Sequence, residues 1–232
     1  MKNITLFLPK LATGAAILLA ACSTLRATPV TVTELGIGAN ETVWIDSSTL
    51  GNNLHVYAGV VKLNVNGVNM DGFCIDPWHW SGTGPLSYNQ ESLAAAPKSA
   101  NNSSTVVPMG ATAALEISQL WTQYYTSSIS NSTAAALQIE IWKIVDAAVT
   151  NGTFHLDSID GGDSATVLST MSAMDAFLAS NPGAAAANLV AVTGPGQDYV
   201  ILSPAPDSGA TAALLGCTFL GLVGLRRRSA RA

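Results

Sequence analysis

The fold is decided by residues 55–75, which read HVYAGVVKLNVNGVNMDGFCI. In the second half of 55–65, apolar and polar side chains alternate, which is the period of a half-buried strand. Asn66 and Gly67 follow, and this dipeptide favours a tight type I′ turn because both residues tolerate a positive φ. Residues 68–75 then return as the second strand of a predicted β-hairpin.

The return strand carries the first residue of chemical interest. Every second residue from Val68 to Cys74 faces one side of the strand, which is the less polar side in its first half. Pro77 ends the strand, because proline has no N–H to give to a ladder. We therefore expect the thiol of Cys74 to point inward.

Further strands and helices are predicted on both sides of the hairpin. They are strands at 31–35, 41–45 and 199–202 and helices at 111–125, 133–149 and 164–180. Asn131 or Ser132 is expected to cap the second helix, and Asp163 or Ser164 the third. Strands, then helices, then a closing strand predict one α+β domain over 28–203. We expect a β-sandwich or barrel-like sheet with a helical region inserted between strands.

The three cysteines lie in different parts of the chain. Cys22 belongs to a predicted N-terminal signal and Cys217 to a predicted removable tail, which leaves Cys74 as the single cysteine of the core. Exported proteins occupy compartments that favour disulfides. A lone thiol there is buried and inert, paired to another chain, or used chemically.

Gln138 is the candidate partner of this thiol. On a helical wheel it lies about 40° from Trp142 and about 20° from Val145, inside the apolar stripe. Glu140 and Lys143 lie on the far side of the helix. A buried amide without a partner costs about 1–3 kcal/mol, so Gln138 must form hydrogen bonds or react.

Two short segments together resemble the bacterial surface thioester domain. They are Phe73-Cys74-Ile75-Asp76 and Leu137-Gln138-Ile139-Glu140-Ile141-Trp142. That family pairs an aromatic-Cys-Ile/Val-Asp strand with a Gln-x-x-Ile-Trp helix start, and the resemblance spans roughly residues 56–148. This chain departs from the family at Leu137, where Thr is usual, and in its short Cys–Gln separation of 64 residues.

The resemblance implies an internal cross-link. The sulfur of Cys74 would attack the side-chain carbonyl of Gln138 and expel ammonia, leaving a thioester. Phe73, Asp76 and Trp142 would support this site. Because a thioester is an electrophile toward amines and hydroxyls, the implied protein is a single-use covalent attachment device at a surface or in a matrix, not a turnover enzyme.

The residues also leave a second interpretation open. Cys74 would then be a buried thiol packed beside a hydrogen-bonded Gln138, in a non-covalent matrix or polysaccharide-binding protein with the same fold. Neither interpretation requires a cofactor, and we predict none.

Other aromatic and polar groups are weaker candidates. Trp78-His79-Trp80 is interpreted as an aromatic lid over the core, with a sugar-stacking patch or a cover over the Cys74 site as alternatives. The histidines lack metal-ligand spacing, and residues 157–163 lack the closing glutamate of an EF-hand. We therefore predict no metal site and a solvated turn at 157–163.

Charge is segregated along the chain. Between Thr28 and Asp207 there are three lysines and all fifteen carboxylates, a net of −12, whereas seven of the ten Lys and Arg lie at the two ends. This pattern argues against a nucleic-acid binder, which needs a basic face to neutralise phosphates. Basic residues beside apolar runs at both ends instead indicate targeting segments.

Residues 1–27 are predicted to be a signal peptide. A basic start precedes an uncharged apolar run at 11–21, which is too short to span a bilayer. Two processing sites remain open. One is cleavage after Ala27, and the other is lipidation of Cys22 at the end of a lipobox-like stretch.

Residues 204–232 are predicted to be a sorting signal with three parts. An uncharged apolar segment at 210–225 reaches about 24 Å as a helix, so we predict a single transmembrane helix. The motif before it is Ala205-Pro206-Asp207-Ser208-Gly209, and the basic cluster after it contains Arg226, Arg227 and Arg228. By the positive-inside rule the cluster stays cytoplasmic and the body lies outside.

This order of parts resembles the PEP-CTERM sorting tail, most closely its Val-Pro-Asp-Ser-Gly variant, with Ala205 in place of Val. The resemblance implies an exosortase-type enzyme that removes the tail from a precursor anchored in the inner membrane. The mature protein would lie in the cell envelope, at the cell surface or in the extracellular matrix. A polysaccharide or a surface nucleophile is its expected partner. A plain tail-anchored membrane protein is the alternative.

Overall fold

The computed structural model describes residues 27–47, 51–82, 84–96, 107–149, 154–160 and 163–204. Nearly all of the predicted sorting tail and of the predicted signal peptide lies outside these ranges. Within them, no helix combines the length and apolar character needed to cross a membrane.

The described residues form an α+β fold, which confirms the predicted class. The strands are β1 Thr28–Ser47, β2 Gly51–Val65, β3 Val68–Cys74, β4 Leu86–Ser92, β5 His155–Asp160, β6 Leu189–Thr193 and β7 Tyr199–Leu202. The helices are α1 Gly110–Tyr124, α2 Asn131–Ala148 and α3 Ser164–Ser180, and a 3₁₀ turn at Leu93–Ala95 follows β4. The predicted helices and the predicted strand at 199–202 are therefore confirmed.

Six of the strands close into a ring. The sheet order is β2-β3-β7-β6-β4-β1-β5, and β1 also pairs with β2, so the antiparallel pairings return to their start. β1 allows this closure because it is 20 residues long. Its Val32 opposes both Val65 of β2 and Leu86 of β4. β5 continues the sheet from the far end of β1.

The hairpin over 55–75 is confirmed. β2 and β3 pair from Val61 opposite Gly72 to Val65 opposite Val68. Asn66 and Gly67 take φ angles of 51° and 87°, as the predicted turn requires. Alternate side chains of these strands fill the interior of the ring. That interior contains Val30, Val32, Val61, Leu63, Val65, Tyr88, Val190, Val192, Tyr199 and Ile201.

A second core lies between the ring and the helices, with α2 at its centre. α2 contacts α1, α3, β1, β2 and β3, and its residues 134–142 are all buried. The expectation that Glu140 lies on a polar far side is wrong, because α3 packs there and leaves it 1% exposed. Its carboxylate accepts a hydrogen bond from Lys143 at 2.7 Å, and Lys143 also reaches Asp175 of α3 at 3.2 Å.

The strands predicted at 31–35 and 41–45 are parts of one strand, β1. Its pairing with β2 shifts register twice within 34–40. Each shift interrupts the alternation of inward and outward side chains. The sequence pattern is therefore interrupted at these positions, although the strand is continuous.

Two other local predictions need correction, and two strands were not predicted. The N-cap of α2 is Ser130, whose hydroxyl accepts the N–H of Thr133 at 3.2 Å, and not Asn131 or Ser132. β5 occupies the first part of the predicted turn at 157–163. β4 and β6 are additional strands that the sequence pattern missed.

Gly59 of β2 generates a prediction about the contact between β1 and β2. A Cβ at this position would overlap the carbonyl oxygen of Ala39. We expect Gly59→Ala to lower the free energy of unfolding by about 1–3 kcal/mol, measured by urea denaturation. Gly183→Ala is the matched control, since a Cβ there meets no atom within 4 Å. Equal unfolding midpoints for the two variants would contradict the close approach.

Candidate functional site

Cys74 and Gln138 meet in the protein interior although 64 residues separate them in sequence. Cys74 ends β3, Gln138 lies within α2, and their exposed fractions are 3% and 1%. The carboxamide of Gln138 binds both backbone polar groups of Cys74. Its Oε1 accepts the N–H at 2.9 Å, and its Nε2 donates to the carbonyl oxygen at 2.7 Å.

The backbone of Cys74 needs this partner because β2 leaves β3 before reaching it. The pairing of β2 with β3 ends where Val61 opposes Gly72, so Cys74 has no partner residue in β2. On its other side, Cys74 stays opposite Tyr199 of β7. Buried backbone N–H and C=O groups must find partners. The carboxamide supplies one acceptor and one donor in the place of a neighbouring strand.

The sulfur of Cys74 lies against the backbone of Asp76. The Asp76 N–H donates to Sγ, and the thiol donates to the Asp76 carbonyl oxygen, both at 3.3 Å. Burial, and then the negative charge of Asp76, raise the pKa of the Cys74 thiol well above its usual value. The resting site therefore holds a neutral thiol.

Trp142, one of the residues expected to support the site, faces this sulfur. Its indole N–H acts against the rise in the pKa of the Cys74 thiol. Among the described residues, the indole nitrogens of Trp142 and Trp78 are buried with no partner in hydrogen-bond geometry. Since buried donors are nearly always paired, the Trp142 indole is a donor that remains available to negative charge on the sulfur.

Phe73, which precedes Cys74, packs against the helical layer. It is fully buried and packs edge-on against Trp121 and Tyr125 of the α1 region, with ring centroids 5.3 and 6.0 Å apart. Such edge-to-face pairs are favourable arrangements of aromatic rings. Phe73 therefore fixes the end of β3 against the helical layer.

Asp76 contacts His79, a residue predicted to belong to an aromatic lid. Its carboxylate oxygens lie 2.7 and 2.9 Å from Nδ1 of His79, and one of them accepts the N–H of Trp78 at 3.2 Å. Trp78 is fully buried core and not a lid, whereas Trp80 is 58% exposed. Asp76 and His79 are three positions apart in the sequence, a spacing from which no contact was predicted.

A cleft of about 270 Å³ opens over the Cys74–Gln138 pair. Trp142 and His79 also line it, and Trp80 and Tyr57 are its exposed aromatic residues. Among the residues that line the cleft, none is Lys or Arg. The pair is therefore buried but lies at the inner end of a passage from solvent.

The described residues contain no group of three His, Cys, Asp or Glu side chains placed to hold a metal ion. His55 lies at the surface, where it contacts Asp160 at 2.8 Å and stacks on Trp44 with ring centroids 4.4 Å apart. The absence of a metal and of a cofactor stays a prediction.

Asp198 adds a buried carboxyl group beside the site. Its side chain accepts the N–H of Gly194 at 2.8 Å, and its backbone carbonyl accepts the N–H of Ile75 at 3.0 Å. Burial, and then the charge of Asp76, raise the pKa of Asp198 to about 8, although the Gly194 hydrogen bond opposes the rise.

Comparison with protein families concerns the C-terminal tail. A family profile described as the VPDSG-CTERM motif matches residues 206–229, a range that includes Arg226, Arg227 and Arg228 and begins just after Ala205. Comparisons with curated proteins and with solved structures give no match. The motif supports the predicted sorting tail and indicates an exported, membrane-associated precursor. It also implies processing by a sorting enzyme of the exosortase type.

The match does not describe the structure of the tail. The motif at 205–209 and the predicted transmembrane helix at 210–225 both lie outside the described residues. The helix therefore stays a prediction.

Asp198 gives a prediction about stability and pH. Folding raises the pKa of this carboxyl group from 3.8 to about 8, so the folded state binds the proton more tightly. The resulting stability is present below about pH 4 and is lost as the pH rises to about 8. Asp198→Asn keeps an acceptor for Gly194, so it should be more stable than the wild type at pH 9, by a few kcal/mol at most.

Urea denaturation at pH 4 and at pH 9 checks this expectation. The two proteins should differ little at pH 4, where Asp198 is protonated. A wild type and a variant that lose the same stability between these pH values would contradict the assignment.

Proposed function

We propose that this chain is an exported surface or extracellular-matrix protein that attaches covalently through a thioester between Cys74 and Gln138. One observation carries the proposal, namely the two hydrogen bonds, of 2.9 and 2.7 Å, that hold the Gln138 carboxamide on the Cys74 backbone. The carbon that must be attacked therefore lies against the residue that carries the attacking sulfur.

The bond forms by acyl transfer with ammonia as the leaving group. Sγ of Cys74 attacks Cδ of Gln138, the C–N bond breaks, and the thiol proton leaves on the nitrogen as ammonia. Atoms and charge balance without a co-reactant. Because the fold holds the two groups together, the effective concentration of sulfur at the carbonyl is high.

Hydrogen-bond donors already face the two atoms on which negative charge develops. The N–H of Cys74 donates to Oε1 of Gln138, the future oxyanion. The N–H of Asp76 donates to Sγ, and the Trp142 indole lies on the same sulfur. These donors offset part of the cost of charge in a buried site, where the pKa of the thiol is high.

Burial explains why such a bond would survive. Exposed fractions of 3% and 1% for Cys74 and Gln138 keep bulk water from the carbonyl carbon. The cleft still gives a small nucleophile a route to it. A protected electrophile below a cleft suits a protein that must reach its target before it reacts.

Capture of a target consumes the bond. An amine or hydroxyl attacks Cδ, the C–S bond breaks, and the target is left joined to Gln138 as an amide or ester. Cys74 returns to a thiol. Because no step restores the thioester, each molecule acts once, which is the chemistry of adhesion and not of a turnover enzyme.

The sorting motif supports the cellular setting of the proposal. The precursor would be held in the inner membrane by residues 210–225 until the exosortase-type enzyme acts at the tail. The acidic body, with its net charge of −12 between Thr28 and Asp207, would then face the outside. There it would meet amines and hydroxyls of surface polymers.

A second candidate function keeps the fold without the bond. Trp80 and Tyr57 are 58% and 63% exposed beside the cleft, and exposed aromatic faces suit stacking against sugar rings. This observation favours non-covalent binding of an extracellular polysaccharide. Gln138 would then serve only to satisfy the backbone of Cys74.

Intact-mass spectrometry of the full chain and of Cys74→Ser, prepared identically, decides between the two functions. A thioester lowers the mass of the wild type by one ammonia and cannot form in Cys74→Ser. The measured mass difference between the two proteins should therefore differ by one ammonia from the value expected for the substitution alone. Methylamine should then add to the wild type and leave the variant unchanged.

The comparison with Cys74→Ser cancels any processing at the two ends of the chain. A mass difference equal to the substitution alone, with a thiol that alkylates at once on denaturation, would contradict the thioester. The non-covalent function would then remain.

The second function predicts a role for the exposed tryptophan. Trp80→Ala should weaken co-sedimentation with an extracellular polysaccharide about tenfold, since it removes a stacking face. Leu168→Ala on α3 is the matched control because Leu168 is 51% exposed and does not line the cleft. Equal binding by the two variants would show that Trp80 is not part of the binding surface.

A further inference from the structure

We propose that His79 is the general base that takes the proton from the incoming amine or hydroxyl during capture, and that Asp76 positions it. This inference rests on the proposed thioester. It assigns a function to a residue that the Cys-Gln pattern and the sorting motif leave unassigned.

The hydrogen bonds of Asp76 fix the orientation of the imidazole. Asp76 is buried, and its carboxylate oxygens lie 2.7 and 2.9 Å from Nδ1 of His79. An ionised carboxylate only accepts hydrogen bonds, so Nδ1 carries a proton and donates a hydrogen bond to Asp76. The basic lone pair of the neutral ring is therefore on Nε2.

The backbone around this pair is fixed as well. Gln197 donates from Nε2 to the carbonyl oxygen of His79 at 3.3 Å and to that of Asp76 at 3.5 Å. The backbone N–H of Gln197 donates to the carbonyl oxygen of Trp80 at 3.1 Å. The loop after β3 is thus tied to the segment before β7, so the ring is held by backbone and side-chain contacts together.

The ring borders the cleft that lies over the Cys74–Gln138 pair. His79 lines the same cleft as Cys74 and Gln138. Its side chain is 34% exposed, whereas that of Asp76 is 4% exposed. Because a base must meet both the substrate and a route for its proton, a partly exposed position in the lining of the cleft fits the role.

The capture step balances with one imidazole. The nucleophile attacks Cδ of Gln138 and gives its proton to Nε2 of His79. The C–S bond then breaks, and the imidazolium returns the proton to the departing sulfur of Cys74. The buried Asp76 carboxylate stabilises the imidazolium in between, as the acidic member of a catalytic triad does.

Two acidic groups interact with His79, namely Asp76 and Asp198. The other titratable groups that line its cleft are Glu34, His55, Tyr57 and the thiol of Cys74. Asp76 belongs to the same loop, the thiol of Cys74 lies at the end of β3, and Asp198 belongs to the segment before β7. The charge of His79 acts to lower the pKa of Asp198, so the two groups sense each other. The Asp198→Asn variant separates their contributions.

The test uses the full chain and its variant His79→Gln, with methylamine and glycerol as probes. Intact mass first establishes whether each protein lacks one ammonia, and then follows the addition of each probe with time. We expect both proteins to carry the thioester and His79→Gln to add the probes about 100-fold more slowly. The loss should be larger for glycerol, because a hydroxyl is the weaker unassisted nucleophile.

His55→Gln is the matched control. His55 also lines the cleft, but it stacks on Trp44 and contacts Asp160 at the surface. It should add both probes at the wild-type rate. Equal slowing of the two histidine variants would overturn the assignment, and so would unchanged rates in His79→Gln.

A pH profile of the wild type gives a readout that does not depend on how the variant folds. The rate of glycerol addition should rise with pH, as an imidazole loses its proton and becomes able to act as a base. The rise should persist in Asp198→Asn and be lost in His79→Gln. A profile without this rise overturns the role of His79 alone. A wild type that lacks no ammonia overturns the thioester and the role of His79 together.

Discussion

The carboxamide of Gln138, bonded at both ends to the backbone of Cys74, is the contact on which the interior depends. It is needed because the pairing of β3 with β2 stops at Gly72, two residues before Cys74. Without it, a buried N–H and a buried C=O would lose their partners, at about 1–3 kcal/mol each. The same two hydrogen bonds join the ring of strands to α2 and hold an acyl group beside a sulfur. The carboxamide that satisfies the backbone of Cys74 is therefore also the group that would form the proposed thioester.

The hairpin and the helices could be predicted because their signals are local. Asn66-Gly67 defines its own turn, and the apolar spacing around Gln138 follows from one helix. The approach of Cys74 to Gln138 was predictable only through the family resemblance, since nothing in either segment encodes a contact across 64 residues. Burial of both residues nevertheless follows from their own strand and helix patterns.

The features that escaped prediction depend on distant neighbours. A wheel places Glu140 opposite the apolar stripe, but it cannot show that α3 covers that side and supplies Asp175. β1 hides its continuity because its register shifts break the alternation of side chains. His79 sits in an aromatic triplet, and its role depends on the direction in which Asp76 points. In each case the deciding partner comes from tertiary packing or from side-chain orientation.

The closed order of strands has a mechanical consequence. A molecule held at its C-terminal end and joined to a target through Gln138 carries tension along the chain from α2 to β7. The strands β1 to β4 are outside this loaded path. β6 and β7 belong to the loaded path, and each pairs with a neighbouring strand on both sides. β6 pairs with β4 and β7, and β7 pairs with β6 and β3. A pulling force must therefore break two rows of hydrogen bonds before either strand leaves the ring. The strands outside the loaded path hold the loaded strands in place.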